Sequence, residues 1–153
     1  MKVGVIGAGA MGSGIAQAFA TTEGYEVCLC DITEEFAANG KARIVKSFDG
    51  RVAKGKMERS EADKIISKIS VGLKDICKDC DLIVEAAFES MEVKKTTFKE
   101  LHEICKPDCL FSSNTSSLSI TEIGAGIGRP VIGMHFFNPA PVMKLVEVIS
   151  GIN

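Results

Sequence analysis

A glycine-rich turn close to the amino terminus, Gly7–Gly12, constrains this sequence more than any other feature. It follows a short apolar run, Lys2–Ile6, that is typical of a β-strand, and it precedes a segment of helical composition. In the pattern G-x-G-x-x-G, Gly7 permits the tight turn, Gly9 lets backbone N–H groups approach a pyrophosphate, and Gly12 lets the helix pack against the strand. The turn therefore predicts a dinucleotide site at the start of a helix, where the free N–H groups favour an anion.

An acid, Asp31, ends the second strand-like run, Glu26–Cys30. It stands about 20 residues beyond the last glycine of the turn, the separation at which a dinucleotide fold places an acceptor for the ribose 2′-hydroxyl. A carboxylate there would also repel a 2′-phosphate, so the sequence favours NAD over NADP. The competing interpretation is a glycine turn followed by an unrelated surface aspartate, and the placement of the acid favours the cofactor site.

Strand and helix alternate along the rest of the chain, as is typical of a doubly wound parallel sheet. Near the end, Asn138-Pro139 and Pro141 require a turn, and two strands joined by so short a link should pair antiparallel. We therefore predict an α/β, Rossmann-type, mostly parallel sheet with an antiparallel C-terminal hairpin and a long helical excursion after the second strand. Further predicted elements are helices at 11–22, 33–57, 61–69, 91–105 and 119–124, and strands at 82–86, 109–112, 131–135 and 144–149.

The overall composition excludes several classes of function. The 153 residues include 18 Lys plus Arg and 20 Asp plus Glu, and the formal net charge of -2 gives no general attraction for nucleic acid or anionic lipid. No apolar run reaches the roughly 18 residues of a membrane span. Glycines interrupt the start, where a signal peptide is continuously apolar. We expect one cytoplasmic domain, 1–153, with no nucleic-acid or membrane partner.

Six cysteines raise the question of a disulfide framework or a metal site. A chain of this length and apolarity without an export signal is expected to keep its thiols reduced. Cys77 with Cys80, and Cys105 with Cys109, have spacings that a four-sulfur zinc site could use. However, no turn glycine lies within either pair, and the second pair should join the end of a helix to the start of a strand. We therefore expect buried structural thiols and no metal.

Residues 41–59 carry seven basic side chains and two acidic ones, in a chain whose net charge is negative. The simpler interpretation is a solvated helix face, because most charged stretches are solvated. The alternative is a cradle for a phosphate-bearing part of a substrate, because clustered Lys and Arg concentrate the electrostatic field. The basic residues are Lys41, Arg43, Lys46, Arg51, Lys54, Lys56 and Arg59.

Polar side chains fill the loop at 112–117, directly after a predicted strand. All six residues there are Ser, Asn or Thr, and the carboxyl edge of the sheet is where open α/β folds bind ligands. The same residues could cap the next helix, and capping is compatible with ligand contact. The loop is therefore a candidate part of the site.

His135 ends a predicted strand, and Glu147 lies in the next one. A hairpin centred on Pro141 places the two residues opposite each other, with their side chains on the same face of the sheet. A carboxylate beside an imidazole fixes its tautomer and stabilises its protonated form, as a general base near neutral pH requires. The alternative is a structural histidine at a strand end.

Three stretches carry a resemblance to a known family. They are GAGAMGSGIAQ at 7–17, SNTSSLSIT at 113–121 and GMHFFNPAPVMKLVEVI at 133–149. Essentially the whole chain is similar to the NAD-binding domain of the L-3-hydroxyacyl-CoA dehydrogenases, and within them to the bacterial, clostridial-type 3-hydroxybutyryl-CoA dehydrogenases of butyrate and butanol metabolism.

The resemblance implies a role for particular residues. His135 matches the family's general base, Glu147 its carboxylate partner, and Ser116 the serine that contacts the reacting oxygen of the substrate. Ser47 and Lys54 match positions that bind coenzyme A, which favours the anion cradle over the solvated helix face. The positions expected to bind the cofactor are Gly7, Gly9, Met11, Gly12, Asp31, Glu89, Lys94 and Asn138.

The implied activity is reversible hydride transfer between NAD and C3 of a short 3-hydroxyacyl-CoA, as in fatty acid metabolism. The family also has a helical domain that completes the acyl pocket and the main contact of a homo-oligomer. We expect residues 1–153 to lack that domain and to be weakly active or inactive without it. Two other hypotheses stay open. One is a non-catalytic NAD-binding module or a truncated product lacking full activity. The other is a dehydrogenase acting on 3-hydroxy acids without coenzyme A, against which the HFFNP run at 135–139 argues.

Overall fold

The computed structural model describes residues 1–152, which contain seven strands and five α-helices. The strands are β1 (Lys2–Ile6), β2 (Glu26–Cys30), β3 (Ile69–Gly72), β4 (Leu82–Glu85), β5 (Leu110–Ser113), β6 (Val131–Phe136) and β7 (Val146–Ile149). The helices are α1 (Ala10–Thr21), α2 (Glu34–Ala53), α3 (Arg59–Ser67), α4 (Met91–Ile104) and α5 (Ile120–Gly124), and one turn of 3-10 helix spans Lys74–Cys77.

The strands form one sheet in the order β3-β2-β1-β4-β5-β6-β7. All neighbours are parallel except β6 and β7, which are antiparallel. From β1 the chain builds outwards through β2 and β3, and then crosses to the other side of β1 to form β4. In sheets of this kind, ligands bind at the carboxyl ends of the strands where the order reverses. The predicted fold class, including the antiparallel hairpin, is confirmed.

The structure corrects the prediction between residues 53 and 72. Helix α2 ends at Ala53 rather than at residue 57, because Gly55 takes up a left-handed conformation with φ +68°. Helix α3 ends at Ser67, and the next residues form β3, an edge strand that the sequence analysis missed. This strand has only four residues, and only Ile69 contributes a buried apolar side chain, so its pattern is too short to distinguish it from a helix end.

Helices cover both faces of the sheet. On one face, α1, α2 and α3 form an apolar layer that includes Ile44 and Phe48. On the other face, α4, α5 and the 3-10 turn form a second layer around Phe98. Gly4 of β1 faces this second layer, where an added Cβ would lie 2.8 Å from the Sγ of Cys77. The close contact explains why this strand position holds glycine.

All six cysteines are buried free thiols in the core between the sheet and the second layer, as expected from the sequence. The sulfur atoms of Cys30 and Cys77 lie 3.5 Å apart, and this contact together with burial raises the pKa of the Cys77 thiol. Within residues 1–152 there is no cluster of three or more side chains arranged to hold a metal ion. None of the helices in the same range is both long enough and apolar enough to cross a membrane.

Candidate active site at the carboxyl edge of the sheet

The glycine turn between β1 and α1 has the geometry that a pyrophosphate requires. Gly7 has φ +103°, and a Cβ on Gly12 would lie 1.6 Å from the carbonyl oxygen of Gly7, so neither position accepts a side chain. Gly9 is the N-cap of α1, and no side chain caps the helix there. An added Cβ on Gly9 would meet nothing within 4 Å, so the space beside the first N–H groups of α1 is open. These residues fit the diphosphate of a dinucleotide.

Asp31 lies at the end of β2 beside the same turn. Its Oδ2 accepts a hydrogen bond from the backbone N–H of Ala8 at 2.8 Å, and its Oδ1 accepts one from Ile32 at 2.7 Å. Each carboxylate oxygen has a second lone pair, so the group keeps acceptor capacity for a ribose hydroxyl. The carboxylate is thus fixed next to the glycine turn, where the sequence analysis expected it.

A cleft of about 320 Å³ lies next to the turn, at the carboxyl ends of β4, β5 and β6. Six of the predicted site residues line it, and these are Met11, Glu89, Lys94, Ser116, His135 and Asn138. They come from α1, from the start of α4 and the loop before it, from the loop after β5, and from the end of β6 and the segment after it, so the fold collects residues that are up to 127 positions apart in the chain. Asn114, which the sequence analysis did not single out, also lines the cleft.

His135 and Glu147 face each other across the β6–β7 hairpin, and the predicted pairing is confirmed by the strand register. The Nδ1 of His135 lies 3.8 Å from the Oε1 of Glu147, close enough for an ion pair but longer than a hydrogen bond. His135 also packs against Phe137, with ring centroids 4.9 Å apart. Asn114 accepts a hydrogen bond from the backbone of Phe136 at 2.8 Å, which fixes the end of β6 in the cleft wall.

A buried ion pair that the sequence analysis missed lies beneath the cleft. Lys94 is 1% exposed and Glu85 is fully buried, and the ammonium contacts both carboxylate oxygens, at 2.8 and 3.1 Å. Glu85 also accepts the N–H of Ala87 at 2.7 Å and the hydroxyl of Ser113 at 2.6 Å. A sequence signal for the pair does exist, because Glu85 ends an otherwise apolar strand where an unpaired acid would be costly.

Glu89 is the half-exposed carboxylate of the cleft. Its Oε2 lies 3.4 Å from the ammonium of Lys94, and its Oε1 accepts a hydrogen bond from the hydroxyl of Thr115. Burial raises the pKa of Glu89, but the Thr115 hydrogen bond and the charge of Lys94 outweigh burial, and the pKa lies below its usual value. The cleft therefore contains a carboxylate that stays ionised near neutral pH.

Ser47 and Lys54 do not line the cleft but lie in two contiguous grooves beside it. A groove of about 670 Å³ runs between α1, α2 and the segment after β6, and Ser47 and Pro139 line it. A groove of about 440 Å³ shares Ser47 and continues to Lys54. Its wall is basic, and the lining cations are Arg43, Lys46, Arg51, Lys54 and Lys56. Five of the seven basic residues of the 41–59 segment thus converge on one groove, which favours the anion cradle.

Comparison with known proteins agrees with this geometry. Residues 2–153 match the family described as 3-hydroxyacyl-CoA dehydrogenase, NAD binding domain. The chain is 50% identical to the 3-hydroxybutyryl-CoA dehydrogenase of Clostridioides difficile, over 99% of this chain and 54% of that protein.

Two crystal structures are also similar to the chain. The 3-hydroxybutyryl-CoA dehydrogenase of Escherichia coli K12 has a TM-score of 0.94 and 43% identity, over 99% of this chain and 33% of that one. The (S)-3-hydroxybutyryl-CoA dehydrogenase of Ralstonia eutropha has a TM-score of 0.93 and 39% identity, over 99% of this chain and 54% of that one.

The extent of these matches shows which part of a dehydrogenase the chain corresponds to. It spans about half the length of the curated 3-hydroxybutyryl-CoA dehydrogenases that it matches. The family match covers nearly all of the chain, and the glycine turn and Asp31 both lie within it. The chain therefore belongs to the 3-hydroxyacyl-CoA dehydrogenase family and represents its NAD-binding domain.

Proposed function

We propose that the protein transfers hydride reversibly between NAD and C3 of a short-chain 3-hydroxyacyl-CoA, yielding the 3-oxoacyl-CoA in the oxidative direction. One observation carries the proposal: His135, with Glu147 beside it, lines the same cleft as Ser116, Glu89 and Lys94. These two side chains lie next to the glycine turn, and their proximity supports a role in proton transfer. Hydride transfer to or from an alcohol carbon needs a proton acceptor or donor beside the cofactor, because a proton must leave or join the oxygen.

The residues that would hold NAD surround the turn and the cleft. Gly7, Gly9 and Gly12 leave room for the pyrophosphate, and Asp31 would accept a hydrogen bond from the adenosine ribose. Met11, Glu89, Lys94 and Asn138 line the cleft that would take the nicotinamide end. Bound NAD supplies the hydride acceptor, and NADH the hydride donor, while the protein supplies placement and charge.

His135 would move the proton. Its Nδ1 faces Glu147, so Nε2 is the ring atom left for the substrate hydroxyl. In the oxidative direction Nε2 takes the hydroxyl proton, and the carboxylate of Glu147 stabilises the resulting imidazolium. In the reductive direction the imidazolium returns the proton to the oxygen on C3. The hydroxyl of Ser116 would donate a hydrogen bond to that oxygen, whose charge changes during the reaction.

The basic groove would bind the coenzyme A part of the substrate. Ser47 and Lys54 would contact its phosphate groups, and the neighbouring arginines and lysines add positive charge along the same wall. The larger groove connects this region to the segment 139–142 next to the cleft, and so provides a path for the pantetheine arm. A substrate without coenzyme A would leave this charge unused.

Three wider features belong to the same proposal. We expect the full-length protein to add a helical domain that completes the acyl pocket and to form a homo-oligomer through it. We also place the protein in the cytoplasm, because the reducing environment there maintains free thiols such as the six in this chain.

The direct test measures NADH oxidation by the full-length natural protein with 3-oxobutyryl-CoA and with free 3-oxobutyrate. We expect kcat/KM to be at least about 100-fold higher for the thioester, because binding energy from the remote handle supports catalysis at C3. Equal turnover of both compounds would indicate a dehydrogenase for free acids. NADH binding without turnover of either compound would indicate a non-catalytic module.

A charge-reversal pair sharpens the test of the groove. Lys54→Glu should raise the KM for the acyl-CoA more than it lowers kcat, because a handle contact acts on ground state and transition state alike. Lys99→Glu is the matched control, since Lys99 is exposed on α4 and lines neither groove. An unchanged KM for Lys54→Glu at low salt would contradict the groove assignment.

A further inference from the structure

Thr115 is a buried polar residue for which the proposed reaction has no use. The residue is 4% exposed and lies in the loop after β5, between the cleft residues Asn114 and Ser116. Its hydroxyl donates a hydrogen bond to the Oε1 of Glu89 and accepts one from the backbone N–H of Leu118 at 3.0 Å. One hydroxyl group therefore links Glu89, in the loop before α4, to the loop that follows β5.

The bond from Leu118 to Thr115 closes a turn around the two residues between them. Those residues are Ser116 and Ser117, and side chains of Ser and Thr commonly stabilise turns in this way. The backbone of Thr115 is held in addition, because its N–H donates to the Oγ of Ser113 at 3.3 Å. The Thr115 hydroxyl thus closes the turn that carries Ser116.

The same hydroxyl also fixes the carboxylate of Glu89. Lys94 holds the Oε2 oxygen at 3.4 Å, and Thr115 holds the Oε1 oxygen, with Ser117 at 3.5 Å as a weaker partner. The side chain of Glu89 is 43% exposed, so without these contacts it would be free to turn towards solvent. A valine in place of Thr115 keeps the shape but can neither donate to Glu89 nor accept from Leu118.

We propose that Thr115 is a positioning residue whose hydroxyl holds the cofactor-facing Glu89 and the substrate-facing Ser116 in one arrangement. The inference rests on the proposed function, since it assigns Glu89 to NAD and Ser116 to the substrate oxygen. Its consequence is that loss of one hydroxyl weakens both cofactor binding and the chemical step, although Thr115 itself does not line the cleft.

The experiment compares Thr115→Val with Thr115→Ser in the full-length protein. Thr115→Val should raise the Kd for NADH about 10-fold or more, because a hydrogen bond to a charged group is lost, and should lower kcat as well. Thr115→Ser keeps the hydroxyl and should remain near wild type in both. Thr21→Val is the matched control, since the Thr21 hydroxyl bonds within α1 to the carbonyl of Gln17 and its loss should leave the Kd unchanged.

A second readout separates positioning from a general loss of stability. In a Glu89→Ala background, Thr115→Val should raise the Kd for NADH no further, because the hydroxyl would act on the cofactor through Glu89. If Thr115→Val raised the Kd by the same factor in the wild type and in Glu89→Ala, the inference would be wrong. If Thr115→Val does not fold, Thr115→Ala compared with Thr115→Ser makes the same test.

NADH binding by the wild type distinguishes failure of the inference about Thr115 from failure of the proposed function. If the wild type binds NADH and Thr115→Val has the same Kd and kcat, the inference about Thr115 is wrong, but the proposed function is unaffected. A wild-type protein that does not bind NADH overturns both.

Discussion

A lysine–carboxylate ion pair lies at each end of strand β4, and the two pairs differ in burial and in the number of contacts that each makes. At the carboxyl end, Glu85 and Lys94 are 0% and 1% exposed and make a bidentate contact. At the amino end, Asp81 and Lys106 are each 36% exposed and meet at 2.5 Å. Asp81 accepts one further hydrogen bond, from the backbone of Lys2 at 2.7 Å. One pair is withdrawn from water, and the other remains in it.

The difference shows which end of the sheet is specialised. Burying two charges removes their hydration, and apolar residues of similar volume often stabilise a core as well or better. The Glu85–Lys94 pair is therefore a poor means of stabilising the fold, and what it achieves is the placement of an ammonium at the cleft. The Asp81–Lys106 pair is an ordinary surface contact, which contributes little in water.

The largest expected effect comes from breaking the buried pair. Glu85→Gln removes the buried partner of Lys94 and leaves only the partly exposed Glu89, 3.4 Å away, to balance the ammonium, so it should lower the free energy of unfolding by about 3–5 kcal/mol. It should also weaken NADH binding, because Lys94 loses its fixed position. Chemical denaturation followed by circular dichroism measures the first effect, and calorimetry with NADH the second.

A double variant serves as the control for that change. Glu85→Gln combined with Lys94→Met also removes the buried ammonium, so much of the stability should return while NADH affinity stays low. If Glu85→Gln were no more destabilising than Asp81→Asn, the contrast between the two ends of β4 would be wrong.

A smaller effect is expected at Asp31, which lies at the same edge of the sheet but is partly exposed. Asp31→Ala should weaken NADH binding about 10-fold through loss of a hydrogen bond with a charged acceptor. It should also narrow the preference for NADH over NADPH, because repulsion of the 2′-phosphate is lost. Calorimetry with both cofactors measures the ratio, and Asp108→Ala, at the amino edge, should leave it unchanged. Tight NADPH binding by the wild type would contradict the assignment.

The smallest effect is expected at the exposed pair. The hydrogen bond from Lys106 and that from the Lys2 backbone lower the pKa of Asp81, so its stabilising contribution is present above the pKa of the unfolded chain. That contribution is lost as the pH falls through the lower pKa of the folded state. Melting temperatures of wild type and Asp81→Asn should therefore differ slightly at pH 7 and converge in acid, with NADH affinity equal throughout. A difference in melting temperature that grew as the pH fell would contradict this role of Asp81.

The structure could be predicted from the sequence wherever a local sequence pattern determines the geometry. The glycine turn and Asp31 follow from spacing, because each glycine has a separate steric requirement that the structure meets at Gly7 and Gly12. The opposition of His135 and Glu147 follows from the symmetry of a short hairpin about its turn. These are contacts within one supersecondary unit.

The parts that could not be predicted depend on tertiary placement. Strand β3 is too short for its periodicity to be informative, and only its pairing with β2 identifies it. The network around Glu85 joins residues from β4, α4 and β5, with the Ser113 hydroxyl coming from 28 positions away. The roles of Thr115 and Asn114 likewise depend on which loops the sheet brings together. No local pattern specifies such contacts.

The most direct test of the central claim, that the carboxyl edge of the sheet places a coupled His135–Glu147 pair for proton transfer, is a double-mutant cycle in the full-length protein. His135→Gln and Glu147→Gln are compared singly and together by kcat for NADH oxidation with 3-oxobutyryl-CoA. We expect a loss of about 100-fold or more for each single change, little further loss for the double change, and NADH affinity near wild type in all three. Losses that multiply independently would contradict the coupled pair.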